Sequence, residues 1–272
     1  MILLDELLAG MPLEVLALRM TLVALFVVLV ALVAERLGPF LGAMVASLPL
    51  YTGPVYLLLA LEHEPAYIVA ATVTSVAICG ANPVFALIYA LLARTQGVAV
   101  SLLGGLSAWA ACGALVQARG EWSLVEALLF VAPIYSVALW LAQSFTRGVA
   151  LRTAKRHWTD LVQRAIFVAA LTGLVIVASR HVPAEVTGIL SVMPILTTSL
   201  ILVMHPRVGG PATAALLAHT LGGLVGMVVA FAAVNLSIPH LGLWPGLGLG
   251  LAITLAWNVM LIMARSLLAL RR

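Results

Sequence analysis

Ser47-Leu48-Pro49-Leu50-Tyr51-Thr52-Gly53-Pro54 lies in the middle of an apolar stretch, Gly38–Leu61, long enough to cross a bilayer. Two prolines and a glycine interrupt helical hydrogen bonding there. Proline has no N–H, and its ring crowds the preceding turn. In hydrocarbon such an interruption survives only where protein buries it or a wet cavity faces it. A related stretch returns as Ser191-Val192-Met193-Pro194-Ile195-Leu196-Thr197-Thr198-Ser199. Pro49 and Pro194 stand 145 residues apart, as do Thr52 and Thr197. Interrupted spans at matching places in two halves of a chain point to a transporter substrate site.

Composition sets the environment. Of 272 residues, 64% are hydrophobic and 9% are charged, with mean hydropathy +1.18. That excludes a water-soluble domain and describes a polytopic membrane protein. The spans are continuous apolar runs rather than alternating ones, so they are helices and not a barrel. Cys79 and Cys112 both fall inside expected spans and read as small buried hydrophobes rather than a disulfide or metal site. The acidic start, Met1 to Glu6, lacks the basic region of a cleaved signal peptide and is read as part of the mature protein.

Nine spans are expected: Leu13–Ala34, Gly38–Leu61, Pro65–Ala93, Gly97–Gln117, Glu121–Phe145, Leu161–Ser179, Pro183–Met204, Gly210–Val234 and Leu241–Leu268. The loops test this count. Eleven of the 14 basic residues, including Arg94, Arg147, Arg152, Lys155, Arg156 and Arg207, fall on one side. Only Arg19, Arg119 and Arg180 fall on the other. The positive-inside rule then places the N-terminus outside and the C-terminus in the cytoplasm. The net charge of +4 therefore marks orientation, and nucleic acid is not an expected partner.

The chain repeats itself with inversion. Besides Pro49 and Pro194, Arg19 and Arg164 are 145 residues apart. Pro65 and Pro211, Thr74 and Thr220, and Gly80 and Gly226 are 146 apart, and Trp109 and Trp257 are 148 apart. Residues 1–120 form one four-span unit, 121–157 a linker span with a basic loop, and 158–272 the second unit. Five spans between equivalent points invert the second unit. The expected fold class is an all-α polytopic membrane protein of about nine helices, a 4+1+4 inverted repeat with broken second and seventh helices.

The first unit resembles the GlpM-type family of small bacterial inner-membrane proteins. The likeness rests on Arg19 early in span one, Pro49-Leu50-Tyr51-Thr52-Gly53-Pro54 in span two, Pro83 in span three and Ser107-Ala108-Trp109 in span four. It covers roughly the first 117 residues, and this chain carries the unit twice. A fainter likeness is to AbrB-type membrane proteins. The resemblance implies a bacterial inner-membrane location.

Chemistry is sought first at the two breaks. Half-helix ends expose unpaired N–H and C=O groups. Pro49 lies about 16 Å into its span, near the midplane. Ser47, Pro49, Tyr51, Thr52 and Gly53, with Ser191, Pro194, Thr197, Thr198 and Ser199, are the candidate substrate-binding residues, joined by Thr74 and Thr220. The alternative is a pair of kinks whose freed carbonyls are met by these hydroxyls, and symmetric recurrence favours the site. His219 is the ionisable side chain expected at mid-depth and is the proton-coupling candidate, with a neutral helix-bridging imidazole as the other reading. Arg19 and Arg164 are gate candidates or snorkelling side chains. Asn82 and Asn258 read as helix cross-links.

No GxSxG elbow, HExxH, CxxC or phosphate-binding glycine loop is found in the sequence. An enzyme is not expected, and no metal or cofactor is implied. The expected function is a secondary transporter or exporter of a small polar or anionic solute working by alternating access. A non-transporting subunit of a larger membrane complex is the alternative. The partners are the lipid bilayer and a small solute, with a homo-oligomer left open. Green fluorescent protein fused to the C-terminus should fluoresce, and alkaline phosphatase fused after Glu121 should be active. The reverse pattern would overturn the orientation.

Overall fold

The computed structural model describes residues 11–36, 52–147 and 158–270. Among them every regular element is an α-helix. The helices are α1 (Leu13–Arg36), α2 (Thr52–Glu62), α3 (Pro65–Cys79), α4 (Ala81–Leu92), α5 (Val98–Arg119) and α6 (Leu124–Thr146), then α7 (Trp158–Ser179), α8 (Ala184–Ser191), α9 (Ile195–Val208), α10 (Gly210–Leu241) and α11 (Leu243–Leu270). Seven stretches of the described chain are long and apolar enough to cross a membrane. They include 65–92, which joins α3 to α4, and 184–208, which joins α8 to α9.

Polarity is arranged for a hydrocarbon solvent. Thr72, Ser75, Thr187, Ser191 and Thr213 are fully buried, while Leu115, Leu129 and Trp140 are among the most exposed large hydrophobic side chains of the described residues. A helix in lipid satisfies its own backbone, so the outer surface can be apolar without penalty. Polar side chains turn inward, where neighbouring helices supply partners.

The centre is α3–α4 packed against α10. Most of the apolar window of 65–92 is buried (72%), against 22% for α5 and for α6. α10 also packs on α6 and α11, and α8 packs on α3. α1 lies along α7. Val55, Leu59, Ile68, Ile78, Phe85, Leu217 and Leu221 lie in the resulting core.

Local chemistry sets the breaks and boundaries. Pro83 has no N–H to give the Cys79 carbonyl one turn back, and the helix divides at Gly80. The Tyr135 hydroxyl of α6 donates to that carbonyl at 3.2 Å. α6 begins at Leu124 because Ser123 and Glu126 form a capping box, with Ser123 Oγ accepting the Glu126 N–H and Glu126 Oε2 accepting the Ser123 N–H. Gly209 ends α9 at φ 84°, in the left-handed region where glycine carries no Cβ penalty.

The reading of the eighth span as Gly210–Val234 needs correction, because α10 runs on to Leu241. Asn235 does not begin a loop. Its amide donates to the Val69 carbonyl at 2.9 Å and to Thr72 Oγ1 at 3.1 Å, so a polar residue sits inside the helix without loss.

Gly188 lets α8 approach α3 closely. A Cβ there would stand 2.3 Å from the Ala71 carbonyl oxygen. Gly188→Ala should therefore destabilise the protein by about 1–3 kcal/mol, the usual cost of overpacking. Thermal unfolding in detergent measures this, and an unchanged melting temperature would contradict the close approach.

Candidate functional site

Helical hydrogen bonding stops at Ser191 and resumes at Ile195. Pro194 takes the N-cap position of α9 at φ −77°, ψ 51°, and Val192 closes α8 at φ −108°, ψ 7°. The Val192 N–H turns to the Ile189 carbonyl at 3.2 Å, so Gly188 loses its expected donor one turn on. Ser75 of α3 supplies one instead, its hydroxyl donating to the Gly188 carbonyl at 2.8 Å. With that proton committed, Tyr56 of α2 donates to Ser75 Oγ, at 2.7 Å. The chain Tyr56–Ser75–Gly188 thus ties the helix after the first sequence interruption to the helix before the second.

The hydroxyls around Pro194 divide into two sets. Ser191 Oγ donates to the Thr187 carbonyl of its own helix at 2.8 Å. Thr187 Oγ1 lies 2.7 Å from the Tyr67 hydroxyl, which also sits 3.1 Å from the Ser179 carbonyl. These groups are satisfied. Thr198 Oγ1 and Ser199 Oγ are buried and have no hydrogen-bond partner among the described residues. Thr172 Oγ1, on the neighbouring α7, is in the same condition. Thr197 is half-buried. An unpaired buried hydroxyl costs about 1–3 kcal/mol, so such groups call for an explanation.

The other sequence candidates are placed as follows. Ser47, Pro49 and Tyr51 lie outside the described residues. Thr52 opens α2, is buried, and directs Oγ1 to Met227 Sδ of α10 at 3.8 Å. Gly53 has open space around its Cα. Thr74 is buried on α3. Thr220 is exposed and donates to the Leu217 carbonyl of its own helix at 2.8 Å, so it adds no free hydroxyl to the break. His219 is half-buried on α10. Arg164 is on α7, but its side chain is outside the description. Asn82 accepts from the Trp109 indole at 3.1 Å and so links two helices. Asn258 donates within its own helix to the Thr254 carbonyl at 2.9 Å.

Among the described residues, buried carboxylates pair with arginines at two places. Glu62, at the end of α2, is paired with Arg19 of α1 and with Arg180, which follows α7. Asp160, near the start of α7, accepts a two-pronged contact from Arg207 near the end of α9, Nη1 to Oδ2 and Nη2 to Oδ1 at 2.7 Å each. Both carboxylates are buried, with 8% and 7% of their side chains exposed. The sequence reading counts Arg207 only as a loop charge and gives Glu62 and Asp160 no role in the site. One signal was available, since Glu62 and Arg207 stand 145 residues apart, the offset of the prolines.

Next to Glu62, His63 follows α2 and stacks on Tyr67, with ring centroids 3.9 Å apart and planes 8° from parallel. Ser179 Oγ donates to the Ile176 carbonyl at 2.8 Å, so His63 Nε2–H donates to Ser179 Oγ, at 2.9 Å. Burial lowers the His63 pKa; the Glu62 charge opposes this and the Arg180 charge adds to it.

No family model, no curated protein and no solved structure matches this chain.

The lowered His63 pKa has a defined consequence. Below about 6.5 the unfolded histidine takes up a proton that the folded one resists, so stability is present above that pH and is lost on acidification. The apparent melting temperature in detergent should begin to fall as the pH drops below about 6.5. His63→Gln, which keeps an N–H donor, should flatten that part of the profile. An identical profile in the variant would remove His63 as the source.

Proposed function

We propose that this chain is a secondary transporter or exporter of a small polar or anionic solute in a bacterial inner membrane. It works by alternating access, with its N-terminus outside. The observation that carries this reading is the pair of buried, unpaired hydroxyls, Thr198 Oγ1 and Ser199 Oγ, about one turn after Pro194. A kink that was merely structural would satisfy the groups it buries, as Ser75 does for the Gly188 carbonyl. Two hydroxyls left without partners beside a half-helix start are suited to a solute that brings its own acceptors or donors.

The inverted 4+1+4 repeat belongs to this proposal, and the pattern of neighbours supports it. α1 lies along α7, its counterpart in the second unit. α4 packs on α5 as α10 packs on α11. Trp109 and Trp257 each donate an indole N–H to the preceding span, to Asn82 Oδ1 at 3.1 Å and to the Gly222 carbonyl at 2.9 Å. The GlpM-type likeness of the first unit enters as kinship of that repeating unit. Thr52, buried against α10, extends the site toward the first interruption.

The test separates binding from folding. A panel of small carboxylates, amino acids and phosphorylated sugars is screened by thermal shift against the purified protein, because a ligand of the folded state raises its apparent stability. Thr198→Val and Ser199→Ala should leave unliganded stability equal or higher, since each removes an unsatisfied hydroxyl. Each should weaken the binding of any hit about five- to tenfold, the worth of one hydrogen bond. Thr52→Val should impair uptake into proteoliposomes while the protein still inserts. Unchanged ligand affinity with reduced stability would return these hydroxyls to a structural role.

A further inference from the structure

We propose that the two buried ion-pair clusters are reciprocal latches, one at each membrane face, and that each holds one mouth of the pathway shut. The inference rests on the transport reading and extends it to the gating machinery. α7 has 22 residues, a length of about 33 Å, enough to cross the hydrocarbon layer. Its first turn carries Asp160, and Arg180 follows its last residue, Ser179. One helix is therefore tied by charge at both ends, which lie on opposite faces of the membrane.

The partners of α7 are equivalent to one another. Glu62 closes α2, and Arg207 is the penultimate residue of α9. They are 145 residues apart, the spacing of Pro49 and Pro194. Each interrupted span thus carries, 13 residues beyond Pro49 or Pro194, a charge that grips α7. The two grips have opposite sign, Glu62 to Arg180 in one and Arg207 to Asp160 in the other. Arg19 adds a second guanidinium to Glu62 from α1. Opposite polarity prevents either charge from finding its partner at the wrong end.

Both clusters are closed in this structure, so the unpaired hydroxyls of Thr198 and Ser199 lie between two shut ends. Opening one face requires separating one set of charges, and the other set keeps the far face sealed. Gln163 and Thr159 lie near Asp160 in the α7 sequence, but neither carries a charge that could replace it. The gate candidates expected from sequence were the repeat-related Arg19 and Arg164. Arg19 joins the Glu62 cluster, the Arg164 side chain is outside the description, and Glu62 and Arg207 are a further repeat-related pair.

The test uses the full-length protein in membrane vesicles of either orientation. Cys79 and Cys112 are replaced by alanine, and Met193→Cys in the gap between α8 and α9 serves as reporter for a membrane-impermeant maleimide. Glu62→Gln should raise labelling about tenfold from the face bearing Arg180, and Asp160→Asn about tenfold from the opposite face. The exchange Asp160→Arg with Arg207→Asp should restore the parent rate. If Glu62→Gln fails to reach the membrane, Arg19→Gln, which leaves Arg180 on Glu62, takes its place and should act in the same direction. Equal effects on one face, or no effect from either variant, would overturn the latches. The labelling reports opening whether or not a solute moves. Opposite labelling without flux keeps the latches and removes the transport reading. Flux with labelling unmoved does the reverse.

Discussion

Hydrocarbon offers no hydrogen bonds, so every polar group in this fold must find its partner inside the protein. That constraint accounts for more of the structure than any single packing contact. It makes all the described elements helices, and it turns the breaks at Pro83 and Pro194 into problems that another helix solves. Pro83 orphans the Cys79 carbonyl, and Tyr135 reaches across from α6 to meet it. The gap before Pro194 orphans the Gly188 carbonyl, and Ser75 meets it from α3. The remedies join helices that are distant in sequence, so the breaks that weaken individual spans also fix how the spans assemble.

Against that background the exceptions carry information. Thr172, Thr198 and Ser199 have buried hydroxyls without partners, while Ser191, Thr213 and Thr254 in similar surroundings bond back to their own helices. A serine or threonine in a helix can nearly always donate to the carbonyl one turn before it. Ser199 would donate to Ile195 and Thr198 to Pro194, both at the first turn of α9. Two of the three side chains that fail to back-bond thus stand where α9 begins, beside the interruption at Pro194.

Much of the architecture is written in apolar run lengths and punctuation. α1 starts at Leu13, α3 at Pro65 and α10 at Gly210, where the sequence places the starts of spans one, three and eight. Boundaries fail where a side chain has a distant partner. Asn235 reads as a loop residue until Val69 and Thr72 are seen to accept its amide, because polarity alone does not distinguish an exposed amide from a bridging one. The location of the Gly80 break is shifted from Pro83 for a local reason, since proline disturbs the carbonyl four residues before it. Tyr56 and Ser75 escaped notice because each is an ordinary residue in its own span. Only the pairing of α2, α3 and α8 gives them a role. The charges escaped for the same reason. Glu62 and Arg180 are 118 positions apart, and no local pattern joins them.

The distribution of polar contacts also separates what can move from what cannot. α3, α4 and α10 are held by close backbone approaches, such as Gly210 against Ala93, where an added Cβ would lie 1.9 Å from the carbonyl oxygen. Interiors packed at that density resist gradual deformation. α7 is held differently. Its middle carries the unsatisfied Thr172 hydroxyl, and its ends are fixed by charge. Ion pairs in a poorly polarisable setting are strong when formed and release sharply once water reaches them, since attraction falls with the local dielectric. A helix tied by such contacts moves between distinct positions instead of drifting. In the proposed transport cycle, the α3–α4–α10 core is the fixed wall. α7, with α1 lying along it, is the element that the charges at its two ends release in turn.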